Sequence, residues 1–295
     1  MSINGKKLLS GLAFTICLTG TAGAADYLPP IIEQPVIEPP VVEYRAVGGW
    51  YLRGDIGYDI HKDASFSHTG TTAAGGAFID ESIDNAGSIG VGVGYEFNDW
   101  FRADLTGEFR GTEGFAAVDS YLFDCTAAGL TSGSCGGGGI ITRNNMWRGS
   151  LSTQVVMANV YASIGSWHGI TPFIGGGVGV AFHRVHGVSD MDPSDLGGGG
   201  FASDNRSTSF AWNVQAGLEY DISDNLVVET AYRYIDLGDA ESGPLCPLPG
   251  GCAGGALAPL LIDDIAAHEI RLGLRWRLGG GYGGGYESSG YGYGS

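Results

Sequence analysis

The sequence predicts an all-β protein: an eight-stranded antiparallel transmembrane β-barrel with long extracellular loops and short periplasmic turns. Three observations carry that expectation. Eight stretches alternate apolar with polar residues at a period of two, as strands do when one face meets hydrocarbon and the other polar surroundings. The apolar phase is rich in aromatics, and the chain opens with a pattern for export. The clearest stretch places Phe210, Trp212, Val214, Ala216, Leu218, Tyr220 and Ile222 on one phase, against Asn213, Gln215, Glu219 and Asp221 on the other.

Residues 1–24 read as a cleaved signal peptide. Lys6 and Lys7 form its positive start, Leu8 to Leu18 is an apolar stretch of eleven residues, and Ala22-Gly23-Ala24 is a small-x-small cleavage site. A spanning helix needs about 20 apolar residues, so this stretch is too short for one. Cys17 lacks the preceding Gly or Ala of a lipoprotein signal and reads as discarded. Residues 25–48 are a Pro-rich periplasmic linker, because Pro29-Pro30, Pro35 and Pro39-Pro40 remove backbone donors and favour extended polyproline conformation. The barrel is expected over 49–278. The Gly- and Tyr-rich stretch 279–295 cannot bury a core and is expected to be a disordered tail.

Strand one is predicted over Trp50 to Ile60, with Trp50, Leu52, Ile56 and Tyr58 outward and Arg53, Asp55 and Asp59 inward. In strand two, Ser88 to Phe97, apolar residues alternate with glycines and Glu96; Asn98-Asp99 then turns into strand three, Trp100 to Arg110, whose inward set is Arg102, Asp104, Thr106, Glu108 and Arg110. Strand four runs from Leu151 to Ile164, and a turn over Ser166 to Gly169 leads to strand five, Thr171 to Phe182. Strand six is the stretch already quoted, with Glu219 inward. Strand seven, Leu226 to Asp236, turns Glu229 and Arg233 inward, and strand eight, His268 to Leu278, does the same with Glu269, Arg271, Arg275 and Arg277. Connections after strands two, four and six are a few residues long, and the others run to roughly 25 to 40, the asymmetry of an outer-membrane barrel with both termini in the periplasm. Many of the 53 glycines fall inside strand patterns (Gly90, Gly92, Gly94; Gly175, Gly177, Gly179), where an inward glycine leaves room in a narrow lumen.

The formal charge of −17 argues against nucleic acid as a partner, since no basic patch is available to neutralise phosphates. Cys125, Cys135, Cys246 and Cys252 fall as two pairs, each within one proposed loop. An even count in an exported chain points to disulfides, with 125–135 and 246–252 favoured by proximity. Zinc is the rival reading, but the Cys spacings differ and no histidine lies near either pair.

The chain resembles the Omp25/Omp31-like surface proteins of alphaproteobacteria, OmpA-like eight-stranded barrels of the porin family. The resemblance lies in Gly49-Trp-Tyr-Leu-Arg-Gly-Asp-Ile-Gly-Tyr58, Val214-Gln-Ala-Gly-Leu-Glu-Tyr220, Thr230-Ala-Tyr-Arg-Tyr-Ile235 and His268-Glu-Ile-Arg-Leu-Gly-Leu-Arg-Trp276. Arg271, Gly273, Trp276 and Leu278 are similar to the terminal signal read by the barrel-assembly machinery, although a further 17 residues follow and the last signal residue is Leu rather than Phe. The resemblance implies a surface protein of the cell outer membrane, in contact with lipid and lipopolysaccharide.

The inward charges are the natural place to seek function. An eight-stranded interior is just wide enough for side chains to fill it, and charges taken from water must be paired. A plug of interlocked ion pairs is therefore expected rather than an open path. His183 and His186, and His61 and His68, read as solvated loop residues, so no metal or other cofactor is expected. Ser163 and Ser209 have no histidine at a recognisable spacing, and no catalytic residue is assigned. The runs Gly136–Gly139 and Gly197–Gly200 lack phosphate-loop context and read as flexible loop tips. The expected role is structural and surface-exposed, with loops available to host or environmental ligands. A low-conductance porin and a haem- or ligand-binding receptor are the alternatives.

Overall fold

The computed structural model describes residues 48–61, 64–68, 77–129, 135, 137, 139–193, 198–248 and 250–278. The expected signal peptide, nearly all of the linker and the tail lie outside them. Eight strands form the wall: β1 (Gly49–His61), β2 (Ala86–Glu96), β3 (Phe101–Arg110), β4 (Ile140–Ser163), β5 (Ile170–Met191), β6 (Asn205–Asp221), β7 (Leu226–Asp236) and β8 (Ala266–Arg277). Each pairs antiparallel with the next, and β8 pairs with β1, so the sheet is closed.

The register fixes the size of the barrel. Stepping across paired residues from Tyr51 leads through Gly94, Asp104, Asn159, Gly177, Asn213, Ile235 and Ala267 to His61, ten residues along the strand where the circuit began. Eight strands with that stagger tilt by about 41° and enclose a backbone radius of about 8 Å, using ordinary strand spacings. Side chains from opposite walls therefore meet in the middle.

Alternation separates the two faces as the sequence predicts. Leu52, Ile56, Val91, Leu105, Val160, Val178, Val214, Leu218, Leu272 and Leu274 all point outward and are exposed, which is tolerable only against hydrocarbon. Trp50, Trp100, Trp167 and Trp276 gather at the short-turn end of this belt, where amphipathic rings favour a membrane interface. The turns are built locally: the Asn98 side chain accepts from the Trp100 and Phe101 amides at 3.1 and 2.8 Å, and Trp167 and Ile170 exchange both backbone hydrogen bonds.

At the other end the structure departs from expectation. β4 and β5 run well past the predicted limits, and the long connections contain further strands: Ser65–His68, Ala77–Ile83, Glu113–Asp124, Gly199–Ala202, Ala240–Glu241, Leu245–Pro247 and Leu260–Asp263. The Glu113–Asp124 strand pairs with the outer half of β4, and Ala77–Ile83 pairs with it in turn, so the wall continues beyond the apolar belt. Here Thr142, Asn144, Arg148 and Arg184 face out. Polar residues interrupt Leu122, Ile140, Met146 and Met191 on this outer face, so the continuous apolar phase that marks a membrane strand is broken in the sequence. Gly199 and Gly200 are not loop tips either; they pair with Met191 and Asp190, and Gly200 pairs with Pro247.

These connections are packed, not loose. Phe66, Phe115, Trp147, Leu151, Val155, Val185, Ile235, Leu260, Ile262 and Ile265 form one apolar core across the loop end. The lumen is thus stratified, with charge toward the short-turn end and hydrocarbon across the mouth.

Candidate functional site

Six wall strands (β1, β2, β3, β6, β7 and β8) supply the charges, and they join into one network along the lumen. Nearest the turns, Arg277 reaches Glu96 and Asp221 at 3.2 and 2.9 Å. Arg275 comes next: it binds Glu96, Glu219 at 2.5 Å and Glu229 at 2.7 Å, uniting three strands through one guanidinium. Arg102 meets the same two acids, Glu219 at 2.7 Å and Glu229 at 3.2 Å, and its guanidinium lies over the Tyr161 and Phe173 rings at 4.0 and 4.9 Å. The planar group can donate at its edge and stack on its face, so one cation serves both halves of the wall.

Farther along, Arg53 pairs with Asp55 at 2.6 Å and with Asp104 at 2.8 Å, and donates to the Tyr161 hydroxyl at 2.7 Å. Arg271 bridges Asp55 and Glu108 at 3.4 and 3.1 Å. Arg233, fully buried, donates twice to Glu108 at 2.7 Å and also to Glu269. Arg110 approaches Asp59 at 2.5 Å. All the inward charges named from sequence are here, although Arg277 and Glu96 remain half-open at the rim.

Neutral groups complete the network: alternation already set Thr106, Asn213 and Gln215 on the polar phase, whereas Asn159 of β4 was not named. Asn159 donates to Asp104 at 2.9 Å and to Thr106 at 3.2 Å, Asn213 donates to Asn159 at 2.9 Å, and Gln215 donates to Asn213 at 3.2 Å. This amide chain joins β4, which adds no charge to the network, to Asn213 and Gln215 of β6. The signal that could have found Asn159 was the inward phase of β4. Glycines make the space: a Cβ on Gly94 would sit 2.3 Å from Tyr51 Cζ, and one on Gly177 2.1 Å from Asn159 Oδ1.

Other candidates fall elsewhere. Cys125 is bonded to Cys135 and Cys246 to Cys252. His183 is not a solvated loop residue; it is buried, with Nδ1 3.0 Å from Thr153 Oγ1 and Nε2 3.0 Å from the Leu237 carbonyl. The outward extension of β5 encloses it. The Ser209 hydroxyl donates to the Asp239 carbonyl at 2.5 Å, and Ser163 lies at the turn end of β4. Of the terminal signal, Arg271 points into the lumen, while Trp276 and Leu278 face out. His61 was also expected in solvent, yet its side chain is 2% exposed and lies 3.0 Å from Glu113, an acid missed because its strand was read as loop. Asp59, His61 and Glu113 bring one ligand atom each within 4.8 Å of one another.

A closed antiparallel sheet that is apolar outside, with ionic groups inside, defines an integral membrane β-barrel. The family model of the outer membrane protein beta-barrel domain matches residues 40–277, and the chain belongs to that family. An uncharacterised protein of Brucella suis biovar 1 is 29% identical over 90% of this chain and 98% of its own length. A candidate adhesin of Rickettsia prowazekii is 24% identical over 78% of this chain and 87% of its own. Among solved structures, the outer membrane protein OprG of Pseudomonas aeruginosa is similar over 78% of this chain and 96% of its own, with 13% identity and a TM-score of 0.48. The protein is an outer-membrane β-barrel.

Proposed function

We propose that the protein is a structural component of the outer membrane whose packed loop end serves surface contact, and that it is not a diffusion pore. The observation that supports this is the filling of the lumen: paired charges occupy it from Arg277 to Arg110, and the apolar core covers the far mouth. A solute would have to break charge pairs that cost several kcal/mol to separate in a low-dielectric interior. A low-conductance porin would need a wet path past Arg102, Arg53 and Tyr161, which meet across the lumen. A haem receptor built on the His183 and His186 pair would need both imidazoles, and His183 is buried with both ring nitrogens engaged.

Within the family we place the chain with the Omp25/Omp31-like surface proteins, on the motifs at Gly49–Tyr58 and His268–Trp276. The termini and short turns then face the periplasm, the apolar belt meets lipid and lipopolysaccharide, and the segment from Arg271 to Leu278 engages the assembly machinery. The adhesin name of the Rickettsia relative fits a loop end held rigid for contact. Deletion and complementation test the reading. Loss of the protein should sensitise cells to bile salts and large antibiotics while leaving small-solute uptake unchanged. Slowed solute uptake without sensitisation would overturn it.

A further inference from the structure

At the loop end of the lumen the charge network ends on Asp59, beside two side chains that no arginine of the network reaches, His61 and Glu113. Asp59 and Glu113 are almost fully buried, and the His61 side chain is 2% exposed between them. His61 Nε2 lies 3.0 Å from Glu113 Oε1, yet neither atom makes an aligned hydrogen bond, and Asp59 Oδ2 and His61 Nδ1 also lack one. Arg110 approaches Asp59 Oδ1 at 2.5 Å as an ion pair without an aligned hydrogen bond, and Oδ2 has no hydrogen-bond partner. Buried polar atoms rarely stay unsatisfied, because each costs on the order of 1–3 kcal/mol.

Charge points the same way. Among the described residues, the buried charges from Arg275 out to Glu113 are six arginines (53, 102, 110, 233, 271 and 275) against eight carboxylates (Asp55, Asp59, Asp104, Glu108, Glu113, Glu219, Glu229 and Glu269), with Arg143, Asp119 and Asp192 lying farther out. Two negative charges are left over, and a buried ion without a partner is strongly unfavourable. A divalent cation would cancel the excess. The 3.0 Å separation of His61 Nε2 and Glu113 Oε1 is a few tenths of an ångström short of the roughly 3.4 Å between two ligands about 2.1 Å from a shared tetrahedral ion, a small shift for two side chains to make.

We propose that Asp59, His61 and Glu113 bind one divalent transition-metal ion of the zinc type. One imidazole and two carboxylates form a mixed nitrogen and oxygen set, which suits zinc or cobalt over calcium or magnesium, since those favour oxygen alone. Arg110 holds Asp59 from behind and orients its free oxygen, as outer partners of metal ligands do. The ion joins β1 to the Glu113–Asp124 strand and so pins the loop end to the wall.

The test is a titration of the refolded, metal-stripped full barrel with zinc followed calorimetrically, and with cobalt followed by visible absorption. Gel mobility of the unheated protein confirms that each variant is folded. The expected result is one equivalent of zinc, not displaced by millimolar calcium or magnesium, and a cobalt band showing nitrogen and oxygen ligands. Losing an outer partner costs a metal site about 10- to 100-fold in affinity, so losing a ligand in His61→Ala or in the isosteric Glu113→Gln should cost about 100-fold or more. His168→Ala, at the exposed turn end, should bind as the wild type does. Absence of binding to the wild-type barrel would overturn the proposal, as would unchanged affinity in either ligand variant. If Glu113→Gln does not fold, His61→Ala alone decides, because His61 ends β1 and takes no part in the arginine network.

Discussion

Arg233 is the strictest probe of the filled lumen. Its guanidinium is fully buried and donates to Glu108 through two nitrogens at 2.7 Å and to Glu269 through Nε at 2.7 Å. Arg233→Met keeps most of the volume and strands two carboxylates. Removing one partner of a buried pair costs about 3–5 kcal/mol. Arg271 remains 3.1 Å from Glu108, and Arg110 stays within 3.9 Å of both acids, so the lower end applies. About 3 kcal/mol is roughly a 150-fold shift in the folding equilibrium. Glu108→Gln combined with Arg233→Met removes the pair together. It should cost less than Arg233→Met alone, because replacing a whole buried pair is often close to neutral. Urea titration of the barrel refolded in detergent, read by the lipid-facing tryptophans, gives both values. A cost below about 1 kcal/mol for Arg233→Met would mean that water solvates Glu108 and Glu269, and the pairing argument would fail.

Three further predictions concern the wall. Leu218→Arg places a charge on the lipid face and should cost about 2–4 kcal/mol in the same titration, while Glu219→Gln, its inward neighbour, should alter only the contacts with Arg102 and Arg275; equal tolerance would contradict the register. Gly94→Leu should be destabilising by about 1–3 kcal/mol, since even its Cβ would meet the Tyr51 ring, and Tyr51→Ala in the same chain should recover part of the loss. Protease sites introduced at Gly250 should be cut on intact cells and sites at Asp224 spared; the reverse would invert the proposed orientation.

The wall was legible because a membrane strand writes its orientation twice, once as hydrocarbon and once as charge. Leu272 and Leu274 fix the outer phase of β8, and Glu269, Arg271 and Arg275 fix the inner one, so the eight strands and their facing follow from alternation alone. Contacts across the lumen were not legible. Arg53 meets Glu229 at 3.3 Å from 176 residues away because of the ten-residue stagger, which no single strand records. The loop end was misread for a related reason. Its strands face water outside, so Glu113, Phe115 and Ala117 alternate on one side only, and the apolar core that closes the loop end is assembled from at least six separate stretches of chain.

Steady conductance across a planar bilayer tests the central claim, that the lumen is closed by its own side chains. The wild-type barrel should insert and show near-zero steady current. Arg102→Gln combined with Arg271→Gln should strip partners from Glu219, Glu229, Asp55 and Glu108, draw in water and give a cation-selective leak. Steady wild-type current at the level of a wide diffusion porin would contradict the account.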